Sequence, residues 1–194
     1  MDFQTPDFRL PVSEGRQASA KKTLHEMGLD VSRKLVAINP GATNSRAKQW
    51  PVDGFAEIGD RLADECRCNV ILVGASSERE LSQSIAARMH HPPALLTGRT
   101  SLAESIAVLS ICDLVVSNDT GPAYLSAALR TPTLTIFGPT NFNMICPTSD
   151  TAHIVRSRVP CAPCMLRDCP TNHECMTGVT VDMVYRKAAD LLRN

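Results

Sequence analysis

Four short apolar runs recur along the chain, the first three each followed by a polar turn and a helical pattern, and this alternation constrains the fold more than any other feature. Leu35-Val36-Ala37-Ile38, Val70-Ile71-Leu72-Val73, Leu114-Val115-Val116 and Thr133-Leu134-Thr135-Ile136-Phe137 read as buried strands. A weaker strand is expected at Leu95-Leu96. Helical spacing joins Phe55, Ile58, Leu62 and Cys66, then Leu81, Ile85 and Met89, then Leu102, Ile106 and Leu109, and a further helix is expected from Pro122. Strands alternating with helices in this way predict an α/β fold, a Rossmann-like doubly wound parallel sheet with right-handed crossovers.

The flanks are less regular. Residues 1–17, with Pro6, Pro11 and Gly15, read as a linker, and a short helix after Ala18 is stopped by Gly28, so residues 1–30 precede the α/β domain of residues 31–194. From Gly138 onward the pattern breaks into a Pro- and Cys-rich loop, its cysteines within residues 146–176. Thr180 then caps a final helix in which Val184, Ala188 and Leu191 share a face. His90-His91-Pro92-Pro93 reads as a helix-terminating turn without chemistry.

A chain of 194 residues suits one well-buried domain. Lysine plus arginine equals aspartate plus glutamate at 20 each, so no net field favours nucleic acid, and an aromatic content of 4% counts against a stacking platform for bases. The partner expected is a small molecule. The first ten residues have neither a basic nor an apolar signal-like region, and no apolar run approaches membrane-spanning length. Several of the eight cysteines fall in or beside regular elements, which fits reduced, intracellular thiols.

The richest local signal is Ser117-Asn118-Asp119-Thr120-Gly121-Pro122, a strand end passing through a polar turn into a helix. Unpaired helix-start amides and the positive dipole end suit a phosphate there. Gly121 permits close approach, and Pro122 fits the first helical position. Asp119 or Thr120 is equally an ordinary N-cap. After the first strand, small residues 39–42 precede Thr43, Ser45, Arg46 and Lys48, which is either an anion clamp or a solvated crossover whose Trp50 staples the next helix. Glu78, after a third strand-end turn, either accepts hydrogen bonds from a ribose diol or complements a helix dipole. Cys161, Cys164, Cys169 and Cys175 are a possible zinc set, or packed thiols, or a disulfide; only Cys161 and Cys164 form a clean pair. No residue can be assigned to activate a thiol nucleophile.

Taken in order, Asn39-Pro40-Gly41-Ala42 with Lys48-Gln49-Trp50-Pro51 and Phe55-Ala56, Gly98-Arg99-Thr100-Ser101-Leu102, Ser117 to Pro122, Phe137-Gly138-Pro139-Thr140 and Cys161-Ala162-Pro163-Cys164 resemble glycosyltransferase family 9, the ADP-heptose:lipopolysaccharide heptosyltransferases. The resemblance implies a GT-B architecture, two Rossmann-like domains facing a cleft, with this chain similar to the second. That domain holds the ADP-heptose donor, while the first supplies the lipopolysaccharide-core acceptor surface and the aspartate base, so no catalytic residue is expected here. The donor-binding set implied is Thr43, Lys48, Glu78, Asp119, Thr120, Gly121, Pro122 and Tyr124, with Lys48 against phosphate and Asp119, Thr120 and Gly121 around pyrophosphate and sugar. Tyr124 stands where family members commonly have histidine; a phenol donates a hydrogen bond but carries no imidazolium charge.

The reaction implied is an inverting, metal-independent displacement with no cofactor, consistent with the lack of an Asp-x-Asp pair. The setting implied is the cytoplasm, at the inner membrane's cytoplasmic face. Two other readings stay open: a non-catalytic nucleotide-sugar-binding module, favoured by Tyr124, and a zinc-stabilised structural domain.

Overall fold

The computed structural model describes residues 9–30, 32–43 and 45–193. Six strands among them, β1 (Leu35–Asn39), β2 (Asn69–Leu72), β3 (Ala94–Leu95), β4 (Leu114–Asn118), β5 (Thr133–Phe137) and β6 (Ala152–Arg156), form one sheet in the order β3-β2-β1-β4-β5-β6. Every pairing is parallel. The chain runs outward from β1 through β2 to β3, then returns to the other side of β1 and continues through β4, β5 and β6. The direction of winding therefore reverses between β1 and β4. In open parallel sheets that reversal leaves a crevice outside the carboxyl ends of the strands.

Helices cover both faces: α1 (Glu14–Glu26), α2 (Val52–Glu65), α3 (Arg79–Ala86), α4 (Leu102–Leu109), α5 (Gly121–Ala128), the single turns α6 (Phe142–Ile145) and α7 (Glu174–Thr177), and α8 (Val181–Arg193). Because successive strand residues point to opposite faces, β1 divides its side chains between two cores. Val36 and Ile38 join Phe55, Ile58 and Leu62 of α2, Ile85 of α3 and Val184, Ala188 and Leu192 of α8. Leu35 and Ala37 join Ala20 and Leu24 of α1 and Val108 and Leu109 of α4. Fully buried side chains of this size each contribute about 1.5–3 kcal/mol from their removal from water.

Trp50 locks the crossover from β1 to α2. Its ring meets Phe55 edge to face with centroids 5.0 Å apart, and its indole N–H donates to the Val179 carbonyl at 2.8 Å. Gly54 lies beneath the ring, where a Cβ would stand only 2.9 Å from it. The stapling role of Trp50 is thus realised.

Four boundaries differ from expectation. α1 opens at Glu14, inside the stretch read as linker, because Ala20 and Leu24 give it a packed face despite few apolar residues; residues 1–8 of that stretch lie outside the described residues. β6 falls within the region read as loop after Gly138. It is an edge strand in which only Val155 is buried, so His153 and Arg156 are tolerated and no apolar run marks it. The turns α6 and α7 fall in the same region. Pro122 occupies the second position of α5, with Gly121 first.

Replacing Trp50 by alanine should lower the unfolding free energy by about 3–5 kcal/mol, as for other large aromatic truncations. Urea denaturation followed by far-UV circular dichroism measures this, and a loss below about 1 kcal/mol would remove Trp50 from its anchoring role.

Candidate functional site

The crevice predicted by the topology is present, with a volume of about 570 Å³. The loop after β1 contributes Ala42, Thr43, Ser45 and Lys48, the turn after β2 contributes Gly74, Ala75 and Glu78, and the start of α5 contributes Asp119, Thr120, Gly121 and Pro122. Leu102 and Leu109 of α4, with Leu125 of α5 and Val73, supply an apolar wall.

Two buried asparagines at the strand ends tie the loops together. Asn118 donates from Nδ2 to the carbonyls of Pro40 (2.9 Å) and Gly41 (3.2 Å), while its Oδ1 accepts from the Trp50 backbone N–H at 3.2 Å. Asn39, paired in register with Ser117, donates to the hydroxyls of Ser117 (3.0 Å) and Thr120 (2.8 Å). The loop after β1 is braced from outside as well: the Ala47 N–H donates to the Arg167 carbonyl at 2.9 Å, and Arg46 pairs with Asp168 at 2.7 Å. Arg46 is therefore turned toward the Cys-rich loop, while Lys48 lines the crevice.

Asp119 is almost wholly buried, its side chain 1% exposed. Its Oδ2 meets Lys48 Nζ at 2.9 Å and accepts the Thr140 hydroxyl at 2.8 Å. Its Oδ1 lies 2.9 Å from the Tyr124 hydroxyl, which also reaches the Ile145 carbonyl. The carboxylate is thus a junction of loop, helix and β5–α6 turn rather than the cap of α5. Burial, reinforced by the bond to Asp119, raises the Tyr124 phenol well above the ordinary tyrosine range, so it remains a neutral donor. Tyr124 does not line the crevice; of the eight candidate donor-binding residues, the other seven do.

Thr120 occupies the N-cap position of α5 without a side-chain capping bond. A Cβ added at Gly121 would meet no protein atom within 4 Å. Glu78 bridges two loops, accepting the Thr43 hydroxyl on Oε1 (2.8 Å) and the Ala75 N–H on Oε2 (2.9 Å). It caps its own turn and lines the crevice at once. A Cβ at position 41 would overlap the Glu78 carboxylate, so a larger residue there displaces that side chain from its bonds to Thr43 and Ala75.

All eight cysteines are free thiols. Cys161 and Cys164 are exposed, Cys169 is half-buried and Cys175 buried. Burial, and then the nearness of Cys164, Cys161 and Cys169, raises the Cys175 thiol. Hydrogen bonds from Thr171 lower that of Cys169. Among the described residues no three His, Cys, Asp or Glu side chains converge as a metal-binding group.

Sequence reasoning put none of Asn39, Asn118, Thr140, Leu102, Leu109 and Leu125 among the candidate site residues. The asparagines carried one signal: each is a polar residue closing an apolar strand run, where continued pairing must bury it. The wall depends on how α4 and α5 meet, which no local pattern encodes.

A doubly wound parallel sheet with a loop-lined crevice at its topological switch point is a Rossmann-like arrangement, which open α/β proteins of many functions share. Residues 1–174 match the family model for glycosyltransferase family 9 (heptosyltransferase), and the chain belongs to that family. Lipooligosaccharide heptosyltransferase 2 of Campylobacter jejuni is 31% identical over 168 residues, covering 84% of this chain and 52% of the relative. The structure of Escherichia coli ADP-heptose LPS heptosyltransferase II superimposes with a TM-score of 0.82 at 26% identity, over 95% of this chain and 53% of that one. E. coli heptosyltransferase WaaC with ADP matches with a TM-score of 0.65 at 25% identity, over 93% and 51%. The chain spans about half the length of the curated relatives it matches.

Removing the Asp119 carboxylate strands a mostly buried lysine and two hydroxyls. Asp119→Ala should therefore lower stability by about 3 kcal/mol, measured by chemical denaturation, in contrast to a purely ligand-contacting residue, whose loss leaves stability unchanged.

Proposed function

We propose that this chain is the donor-binding half of a heptosyltransferase and that its crevice takes ADP-heptose. One observation carries the reading: the loops after β1, β2 and β4 bring a lysine, a side-chain-uncapped helix start and a carboxylate to one crevice at the switch point. The diphosphate lies against Lys48 and the amides at Gly121, the ribose diol against Glu78, and the base against the apolar wall of Leu102, Leu109 and Leu125. Glu78 already accepts two hydrogen bonds, and a carboxylate has about four acceptor sites, which leaves two for the diol. Solved relatives that share the fold are described as an ADP-heptose heptosyltransferase and as an enzyme with ADP, which supports the choice of nucleotide.

In the reaction, an acceptor hydroxyl of the lipopolysaccharide core attacks the anomeric carbon of the heptose from the face opposite ADP. The bond from that carbon to the β-phosphate oxygen breaks, its electron pair passes to the leaving ADP, and the configuration inverts. Lys48 and the helix-start amides stabilise the charge that develops on the pyrophosphate, the role a metal plays in other transferases. The base and acceptor surface come from the part of the relatives' length that this chain does not span. Among the described residues no helix is long and apolar enough to cross a membrane; the proposed workplace is the cytoplasmic face of the inner membrane, where donor and acceptor meet.

A second reading is favoured by Tyr124, whose hydroxyl is committed to Asp119 and Ile145 and which stays out of the crevice. If its phenol cannot take the role of the histidine common in the family, the domain binds the nucleotide sugar without supporting transfer. Tyr124→His in a chain that includes an acceptor-binding half should then restore turnover without tightening ADP.

Calorimetric titration should show saturable binding of ADP and markedly weaker binding of UDP. Lys48→Ala should weaken ADP by about 1.5–3 kcal/mol, the worth of a hydrogen bond to a charged group. Gly121→Ala should weaken it too while leaving the melting temperature unchanged, since a Cβ there meets no protein atom. Equal affinity for ADP and UDP, or ADP binding indifferent to both substitutions, overturns the reading.

A further inference from the structure

The Cys-rich segment lines no part of the crevice, yet it holds the residues next to two of the groups that satisfy Asp119. The segment turns left-handed twice, at Met165 (φ 59°) and at His173 (φ 57°). That conformation is unfavourable for a residue with a Cβ and persists only where surrounding contacts hold it. Each of the two residues carries one such contact. The Met165 N–H donates to the Pro139 carbonyl at 2.8 Å, and His173 Nε2 lies 2.6 Å from the Ala47 carbonyl. A carbonyl oxygen only accepts, so that ring nitrogen carries a hydrogen and donates it.

Pro139 precedes Thr140 and Ala47 precedes Lys48, the two side chains that meet on Oδ2 of Asp119. Ala47 is 2% exposed, so both of its backbone groups need partners inside the protein. One segment supplies both, since the Ala47 N–H donates to the Arg167 carbonyl at 2.9 Å and its carbonyl takes the His173 ring. The segment is itself anchored. His173 stands at the N-cap of α7, whose Cys175 and Met176 are buried in the core, and a Cβ at Gly138 would overlap the Met176 sulfur. Asp119 thus fixes the ammonium end of Lys48, while a separate set of contacts fixes the backbone that carries it.

We propose that residues 165–173 are a clasp on the loop after β1, and that His173 is a positioning residue which, through the Ala47 carbonyl, sets Lys48 for the phosphates of the ligand. The inference rests on the reading of the crevice as a nucleoside-diphosphate site. Without the ring, a buried carbonyl loses its donor and the peptide before Lys48 is held from one side only. The ligand must then order that loop as it binds, and affinity falls by the cost of doing so. A residue that served only to stabilise the Cys-rich segment would change the melting temperature and leave the affinity of the folded protein as it was.

The test is a double-mutant cycle read by calorimetric ADP titration, with the melting temperature and the amide hydrogen exchange of Ala47 measured on the ligand-free protein. His173→Leu should weaken ADP by about three- to tenfold, the range that one hydrogen bond commands, and should speed exchange at the Ala47 N–H. His173→Gln, whose side-chain nitrogen reaches as far as the ring nitrogen, should restore affinity to within about twofold of the unsubstituted protein. His173→Asn tolerates the left-handed backbone but is too short to reach Ala47; it should reproduce the leucine result and serves if the leucine variant does not fold. In a Lys48→Ala background the loss from His173→Leu should shrink to less than about twofold. An equal loss in both backgrounds, no recovery with glutamine, or a lower melting temperature with ADP affinity intact overturns the inference while leaving the donor-site reading standing. If the unsubstituted protein does not bind ADP, the donor-site reading falls and the inference falls with it.

Discussion

The buried carboxylate of Asp119 organises the site, because three separately folded pieces of chain satisfy it. Lys48 reaches it from the loop after β1, Tyr124 from the second turn of α5, and Thr140 from the turn between β5 and α6. An ionised carboxylate removed from water is tolerated only when its lone pairs are met, so these partners are constrained by the same desolvation cost. The position of Lys48 therefore follows from Asp119. The lysine cannot swing freely into solvent, because doing so strands a charge in the interior.

Beneath that junction, the parallel sheet supplies its own constraint. β1 and β4 are buried along their whole length, yet each ends in an asparagine, and burial of those amides demands partners. Asn118 finds them in the backbone of the loop after β1, and Asn39 finds them in the hydroxyls at the end of β4. Each strand thereby fixes the loop that leaves its neighbour. A crevice built from loops acquires in this way the rigidity of the sheet, which a ligand site needs if binding is not to be spent on ordering the protein.

The sheet was legible because its central strands are continuous apolar runs, and a period of that kind needs no knowledge of the tertiary fold. β6 was not, since an edge strand with one buried residue carries almost no hydrophobic signal; His153 and Arg156 sit in it because the edge leaves room for polar side chains. The crevice was legible in part for a related reason. Lys48, Glu78 and Thr120 stand in polar turns after strands, and topology alone sends such turns to one end of a parallel sheet. The role of Tyr124 was not legible: the family resemblance implied the crevice, but side-chain direction on α5 takes its hydroxyl to Asp119 and Ile145 instead.

These constraints bear on how an anion is held when no net charge draws it in. Lys48 is already paired with Asp119, and Glu78 lines the same crevice, so the three groups together offer a diphosphate no formal positive charge. Attraction at long range is correspondingly weak, as the equal numbers of acidic and basic residues in the whole chain also imply. What remains is directional. An ammonium has three hydrogens; Lys48 is bonded to Asp119 at Oδ2 (2.9 Å) and at the carbonyl (3.2 Å), which leaves one hydrogen unspent. The amides at the start of α5 add fixed dipoles. A site of this kind holds phosphate by the placement of a few donors rather than by field. The group that places Lys48, the buried carboxylate of Asp119, then matters as much as the lysine itself.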